Sequence, residues 1–158
     1  FWTLDSLNLY WEGLQGDKYI TYVPNADHDL GMDFRRVFGG IRALRLHALG
    51  QQAMPKMTWQ HEDSEKGVTL TVDPGDKADR VIYWSAKADT RDFRQAKWAS
   101  REIMADKDGK FVTQIERGPE GFTAGFVEVV YGRAVLPLSL STSIRIVGTE
   151  KNQSASTH

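Results

Sequence analysis

Cysteine is missing from all 158 residues, which excludes disulfide cross-links and thiolate chemistry and leaves the redox compartment open. An excess of charge of one sign is missing as well. Twenty Lys and Arg stand against 21 Asp and Glu, for a formal net charge of -1, and no run of five or six like charges occurs. The basic footprint of a nucleic-acid binder is therefore absent, and no nucleic-acid partner is expected. No apolar stretch approaches the roughly 18 residues that cross a bilayer, so no membrane span is expected, and the first residues lack the basic, apolar, small-residue order of a signal peptide. HExxH, CxxC, glycine-rich phosphate loops and acidic metal clusters are lacking, which leaves metal and nucleotide chemistry without support; no cofactor is expected.

What is present has the balance of a globular protein of one or two domains, at 41% hydrophobic and 26% charged. The chain opens FWTLDSLNLYW, without Met and already inside an amphipathic pattern, which reads as the interior of a longer polypeptide. From Asp5 to Leu14, the residues Leu7, Tyr10, Trp11 and Leu14 follow the i, i+3, i+4, i+7 spacing of one helical face. Thr3 or Asp5 is placed to cap this helix, and Gly13 and Gly16 to end it. KYITYV, Lys18 to Val23, reads as a strand that stops at Pro24-Asn25. Phe34, Val37, Phe38, Ile41, Leu44 and Ala48 form a second helical stripe with Gly50 as its stop, although Gly39-Gly40 weakens its middle by about 1 kcal/mol per glycine relative to alanine. Helix, strand, turn and helix make up a unit of an α/β sheet.

From Met54 onward the period changes to two. Alternating runs near 56–62, 67–73, 79–86, 97–105, 111–116, 123–131 and 135–147 are separated by the turn signals DSEKG, DPGDKAD, DKDG and RGPEG. That makes about seven strands, the count of an immunoglobulin or fibronectin type III sandwich, with the long last run expected to bend or bulge. The expected organisation is thus an α/β segment over 1–53, a β-sandwich over 54–148 and a disordered tail over 149–158. The first piece, with one central-type strand, would leave both strand edges unpaired. The rest of its sheet is therefore expected from polypeptide upstream of Phe1, as a separate or missing fragment.

His28 lies in YVPNADHDL, in the loop after the expected strand, where open α/β sheets place ligands. In α/β-hydrolases the triad histidine comes last in the chain, and a pKa near 6.5 suits it to take up and return a proton near neutral pH. The plainer reading is a structural or exposed turn histidine. Asp29 is a natural N-cap, and Asp5, about twenty residues upstream, is placed either as the acid that orients His28 or as a helix cap. His47 sits late in the second helix, His61 on a strand and His158 in the tail. DPGDKAD and DKDG read as turns in preference to calcium loops. The five tryptophans include candidates for a sugar-stacking platform, against the plainer fate of core burial.

The run FWTLDSLNLYWEGLQGDKYITYVPNADHDL resembles the PhoPQ-activated pathogenicity-related protein family, through WTLDSLNLYW and KYITYVPNADH in this order and at this spacing. Across residues 55 to 148 the resemblance is looser. It implies an α/β-hydrolase-like fold with a C-terminal β-sandwich, with His28 as the histidine of a serine-hydrolase-like triad. It also implies that the triad acid, in an Asn-Asp motif, and the serine both lie upstream of Phe1. Asp5 matches the family's second aspartate and stands as a second-choice acid or a loop-shaping residue. The resemblance further implies export to the periplasm or secretion.

The functional expectation is the C-terminal part of a serine hydrolase that cleaves a small ester or peptide, inactive without its upstream part. The alternative is a non-catalytic binding protein with a degenerate hydrolase fold, whose β-sandwich does the recognising. A third class, a structural interaction domain, would present an exposed apolar patch on the sandwich.

Overall fold

In the computed structural model the described residues are 3–26 and 34–150. Among them, eight strands form two antiparallel sheets. The three-stranded sheet runs β1 (Thr58–Ser64), β2 (Gly67–Asp73), β5 (Phe111–Glu116). The five-stranded sheet runs β4 (Ala99–Glu102), β3 (Arg80–Ala88), β6 (Gly121–Tyr131), β7 (Leu138–Ser141), with β8 (Arg145–Thr149) also on β6. Strand alternation decides which side chains meet. Val68, Leu70 and Val72 of β2 and Ile115 of β5 pack against Val81 and Tyr83 of β3 and Val127 and Val129 of β6. Each of these buried aliphatic or aromatic side chains contributes about 1.5–3 kcal/mol through the water it sheds.

The strand runs legible in the sequence formed close to their expected places. The last run, 135–147, does break as its length suggested. β7 pairs with the second half of β6 and β8 with its first half, and both lie on the same edge. The break falls at Thr142, whose backbone N–H donates to Val127 O at 2.9 Å while its hydroxyl accepts from Val127 N at 3.0 Å. The side chain thus takes one ladder position and frees the backbone to turn.

The N-terminal third departs from expectation. No helix–strand–helix of an α/β-hydrolase-like sheet forms; the described residues are mostly β with a single α-helix. In place of the expected helix from Asp5 to Leu14 there is a 3-10 turn, Ser6–Leu9, continued by turns. Most of the bonds here close over three residues, as in Asn8 N–H to Asp5 O and Gly13 N–H to Tyr10 O, both 3.0 Å, with one over four, Trp11 N–H to Leu7 O. At three residues per turn the i, i+3, i+4, i+7 stripe no longer falls on one face, and Tyr10 and Leu14 are left exposed. Asp5 occupies the N-cap position but makes no side-chain capping bond.

Lys18 to Val23 is extended but is not a strand. It lies along the edge of β7 that β6 leaves open. One backbone bond joins them among the described residues, from Ser141 N–H to Ile20 O at 2.7 Å. Side chains supply the rest: Thr21 Oγ1 donates to Ser139 O at 2.8 Å, and Tyr22 N–H donates to Ser141 Oγ at 3.1 Å. Hydroxyls therefore replace the regular ladder, and the segment covers an edge that would otherwise template pairing with other chains.

The helix predicted from the second stripe is present as α1 (Phe34–Ala48). It ends in a Schellman motif: Gly50 N–H donates to His47 O at 2.9 Å, Gln51 N–H donates to Leu46 O at 2.9 Å, and Gly50 is left-handed at φ 68. The helix is turned over relative to its hydrophobic pattern. Gly39 and Ala43 are its buried residues, while Phe34, Phe38, Ile41 and Leu44 are exposed. The reason lies at Gly39, where a Cβ would stand 2.0 Å from the carbonyl oxygen of Pro137. The small-residue face lets the helix backbone come down on the connection into β7, so the glycine that weakens the helix in isolation permits its docking.

The two adjacent glycines should respond oppositely. Gly39→Ala is expected to cost about 1–3 kcal/mol through the clash with Pro137, despite alanine's better propensity. Gly40→Ala, whose nearest neighbour is Thr21 Oγ1 at 4.0 Å, is expected to be neutral or to stabilise by up to about 1 kcal/mol. Urea midpoints at constant m-value measure both.

Candidate functional site

The residues that lead up to His28 are held over the face of the five-stranded sheet opposite the main core. β-alternation puts Phe122, Ala124, Phe126 and Glu128 of β6 on that face, beside Trp84 and Ala86 of β3. Phe126 is its centre. Trp84 stacks on it at 6.5 Å and 12°, while Tyr22 and Trp98 meet it edge-on at 5.1 Å and 5.3 Å. Edge-on and offset pairs of this kind add about 0.5–1.5 kcal/mol each beyond area burial. Burial is the main reason the Tyr22 phenol is pushed up to about 12.

Asn25 fixes the turn. Its Nδ2 donates to Trp98 O at 2.9 Å, and its Oδ1 accepts from Trp98 N–H at 2.8 Å, so one amide closes both backbone groups of a residue 73 positions away. Asn25 sits at φ 59, a left-handed conformation that asparagine tolerates better than most residues. Pro24 ahead of it sets the entry into the turn. His28 itself, with Asp27 and Asp29, lies outside the described residues.

Asp5 belongs to a different set of contacts. Its Oδ2 accepts from Arg91 Nη2 at 2.5 Å, and Arg91 also lies 5.7 Å from the Phe122 ring centroid. The pair ties the opening turn to the loop after β3. His47 contacts Gln52 O through Nδ1 at 3.2 Å and Asp17 Oδ2 through Nε2 at 3.5 Å, in keeping with its place at the carbonyl end of α1. Asp106 Oδ1 accepts from the N–H groups of Asp108 and Lys110, both at 2.9 Å, so DKDG is a turn stabilised by its own aspartate. No cluster of metal-ligating side chains occurs among the described residues. The disordered tail expected over 149–158 falls almost wholly outside them; of its residues Thr149, which ends β8, and Glu150 are described.

Three residues that the sequence reading did not single out hold this region together. Glu128 is 1% exposed, and its carboxylate accepts from Arg36 Nε at 2.6 Å, Arg36 Nη2 at 3.0 Å and Trp84 Nε1 at 2.8 Å. The guanidinium also lies 5.5 Å from the Trp84 ring centroid. A buried carboxylate without these partners would cost several kcal/mol, so α1 is bound to β6 by a charge that cannot be left alone. The signal was in the sequence: FVEVVY places a single acid in an apolar strand, on the face shared with Phe126. With all three donors directed at it, the Glu128 carboxylate joins α1 and β3 to β6.

Arg36→Met is accordingly expected to lower stability by about 3–5 kcal/mol, because it strands the carboxylate. Adding Glu128→Gln, which removes the charge but can still accept from Trp84, should recover most of that loss. Denaturant titration of the two variants and the parent gives both numbers.

No curated protein and no solved structure matches the chain. A family model does, over residues 1–94, which carries the match past the helix and through β3. Spanning more than half of the sequence and including the run that leads to His28, this match establishes that the chain belongs to the PhoPQ-activated pathogenicity-related protein family.

Proposed function

We propose that the protein is the histidine-bearing part of a serine-type hydrolase that cleaves a small ester or peptide bond, with His28 as general base and then general acid. The observation that carries this reading is the double clamp of Asn25 on Trp98, three residues before His28. A triad histidine must approach its serine in one orientation, and a turn bolted from both sides is the support such a histidine requires. An imidazole with a pKa near 6.5 then accepts the serine proton and returns it to the leaving group.

Asp5 is the second-choice acid or a loop-shaping residue, and the pairing of its carboxylate with Arg91 supports the loop-shaping role. The serine and the first-choice acid come from polypeptide upstream of Phe1. The apolar stripe of Phe34, Phe38, Ile41 and Leu44 on α1 offers a surface on which that polypeptide can pack. Export to the periplasm or outside the cell belongs to the same reading. No helix of the described residues is long and apolar enough to cross a membrane.

A second reading, recognition without hydrolysis, is favoured by the mostly β architecture and the lack of a hydrolase-like helix–strand–helix among the described residues.

A fluorophosphonate probe separates the two. Applied to the polypeptide that includes the residues upstream of Phe1, it should label a serine, and His28→Ala should reduce labelling by about 10³-fold or more, while the 158-residue chain alone stays unlabelled. Labelling that survives His28→Ala contradicts the hydrolase reading. No labelling of the parent favours recognition.

A further inference from the structure

The outward side of α1 is apolar along its middle. Phe34, Phe38, Ile41 and Leu44, with Leu49 just past the helix end, are 46% to 58% exposed. At about 3.6 residues per turn, Arg35 and Arg42 fall on one flank of this stripe and Arg45 within it, all three exposed. α1 reads FRRVFGGIRALRLHA and holds no Asp or Glu, and none of the three arginines pairs with a carboxylate among the described residues. Asp17, at the far end of the helix, lies against His47.

The opposite flank is concave. A cleft of about 240 Å³ opens there between α1 and the extended segment 18–23. Val37, Ile41 and Leu44 of α1 line one side and Val23 the other, and the buried Leu138 and Leu140 of β7 lie at its base. Arg36 also reaches the cleft, but its guanidinium is held by Glu128. Across its width, this side of the protein thus presents an apolar cleft, an apolar ridge and a row of guanidinium groups. Contiguous exposed apolar surface with a polar rim marks a contact site.

Three kinds of occupant meet this surface differently. A second copy of α1 brings apolar residues but no carboxylate for the arginines. An anionic bilayer meets the arginines and the ridge, but it has no side chain to place in the cleft and leaves the cleft walls without partner atoms. A polypeptide surface that is apolar at its centre and acidic along one edge meets all three parts. We propose that the occupant is the polypeptide upstream of Phe1. It sets an apolar side chain in the cleft, covers the ridge and places Asp or Glu carboxylates against Arg35, Arg42 and Arg45. This deepens the functional reading above and rests on it for the existence of the upstream part, while adding where that part sits and what charge it carries.

The test is photo-cross-linking in the polypeptide that includes the residues upstream of Phe1, with benzoylphenylalanine in place of the exposed Phe38. Irradiation should join this side chain to a peptide from upstream of Phe1 within the same molecule, at a yield independent of protein concentration. Arg42→Glu with Arg45→Glu should lower that yield at least threefold, and should leave the melting curve of the 158-residue chain unchanged. Four results overturn the proposal: a cross-link to a second copy, no cross-link at all, a yield unmoved by the charge reversals, or, with vesicles of phosphatidylcholine containing a quarter phosphatidylglycerol, a cross-link to lipid and none upstream. Fluorophosphonate labelling is read separately. The cross-link without labelling keeps this seat and sinks the hydrolase reading, and labelling without the cross-link does the reverse.

Discussion

A single buried carboxylate organises the protein. Glu128 stands on β6 with its face turned away from the main core, and it meets one guanidinium and one indole N–H. Because a charge in that position costs several kcal/mol unless paired, the partners have to be there when the protein is folded. Arg36 comes from α1 and Trp84 from β3, so the pairing joins the helix to the sandwich and places Trp84 on Phe126. From Phe126 the contacts continue to Tyr22 and Trp98, and from Trp98 to Asn25. The run that carries the family motif is therefore seated on a floor whose geometry starts at Glu128.

This arrangement changes the meaning of the N-terminal third. As an isolated α/β fragment it would have exposed two strand edges. As an extended segment along β7 it needs only one backbone bond and two hydroxyls, because β7 already has its other neighbour. The sandwich is thus more than an appended module: its edge strand and its outer face give the motif-bearing segment its shape. The same economy explains α1. A helix that docks through Gly39, Ala43 and Arg36 presents its large apolar residues outward, which leaves Phe34, Phe38, Ile41 and Leu44 exposed.

Much of the β architecture was legible in the sequence because period-two alternation and glycine-bearing turns are local signals. The bend in the last run was legible from its length. The helix over 34–48 and its stop at Gly50 were legible too, but not the direction it faces. Hydrophobic pattern reports which residues are apolar, whereas the docking was decided by how closely Gly39 allows the backbone to approach Pro137. KYITYV has the composition of a strand, yet a strand needs a regular backbone ladder with at least one neighbour, and here β7 contributes one backbone bond and two bonds through hydroxyls. The helix expected over Asp5 to Leu14 gave way to 3-10 turns, in a segment whose Asn8 amide bonds Ile144 O across 136 positions. Such contacts are invisible to any local window. Glu128 was detectable as an acid in an apolar strand, but its partners were not.

The motif-bearing segment and the sandwich share one folded unit, joined through Tyr22 on Phe126 and Asn25 on Trp98. Hydrogen exchange followed by mass spectrometry tests this directly. The amides of Tyr22, Ser141 and the second half of α1 should be protected to nearly the same free energy as those of β6 and should lose that protection together in Arg36→Met. Exchange of residues 18–23 and α1 at unfolded-chain rates, with β6 still protected, would contradict it.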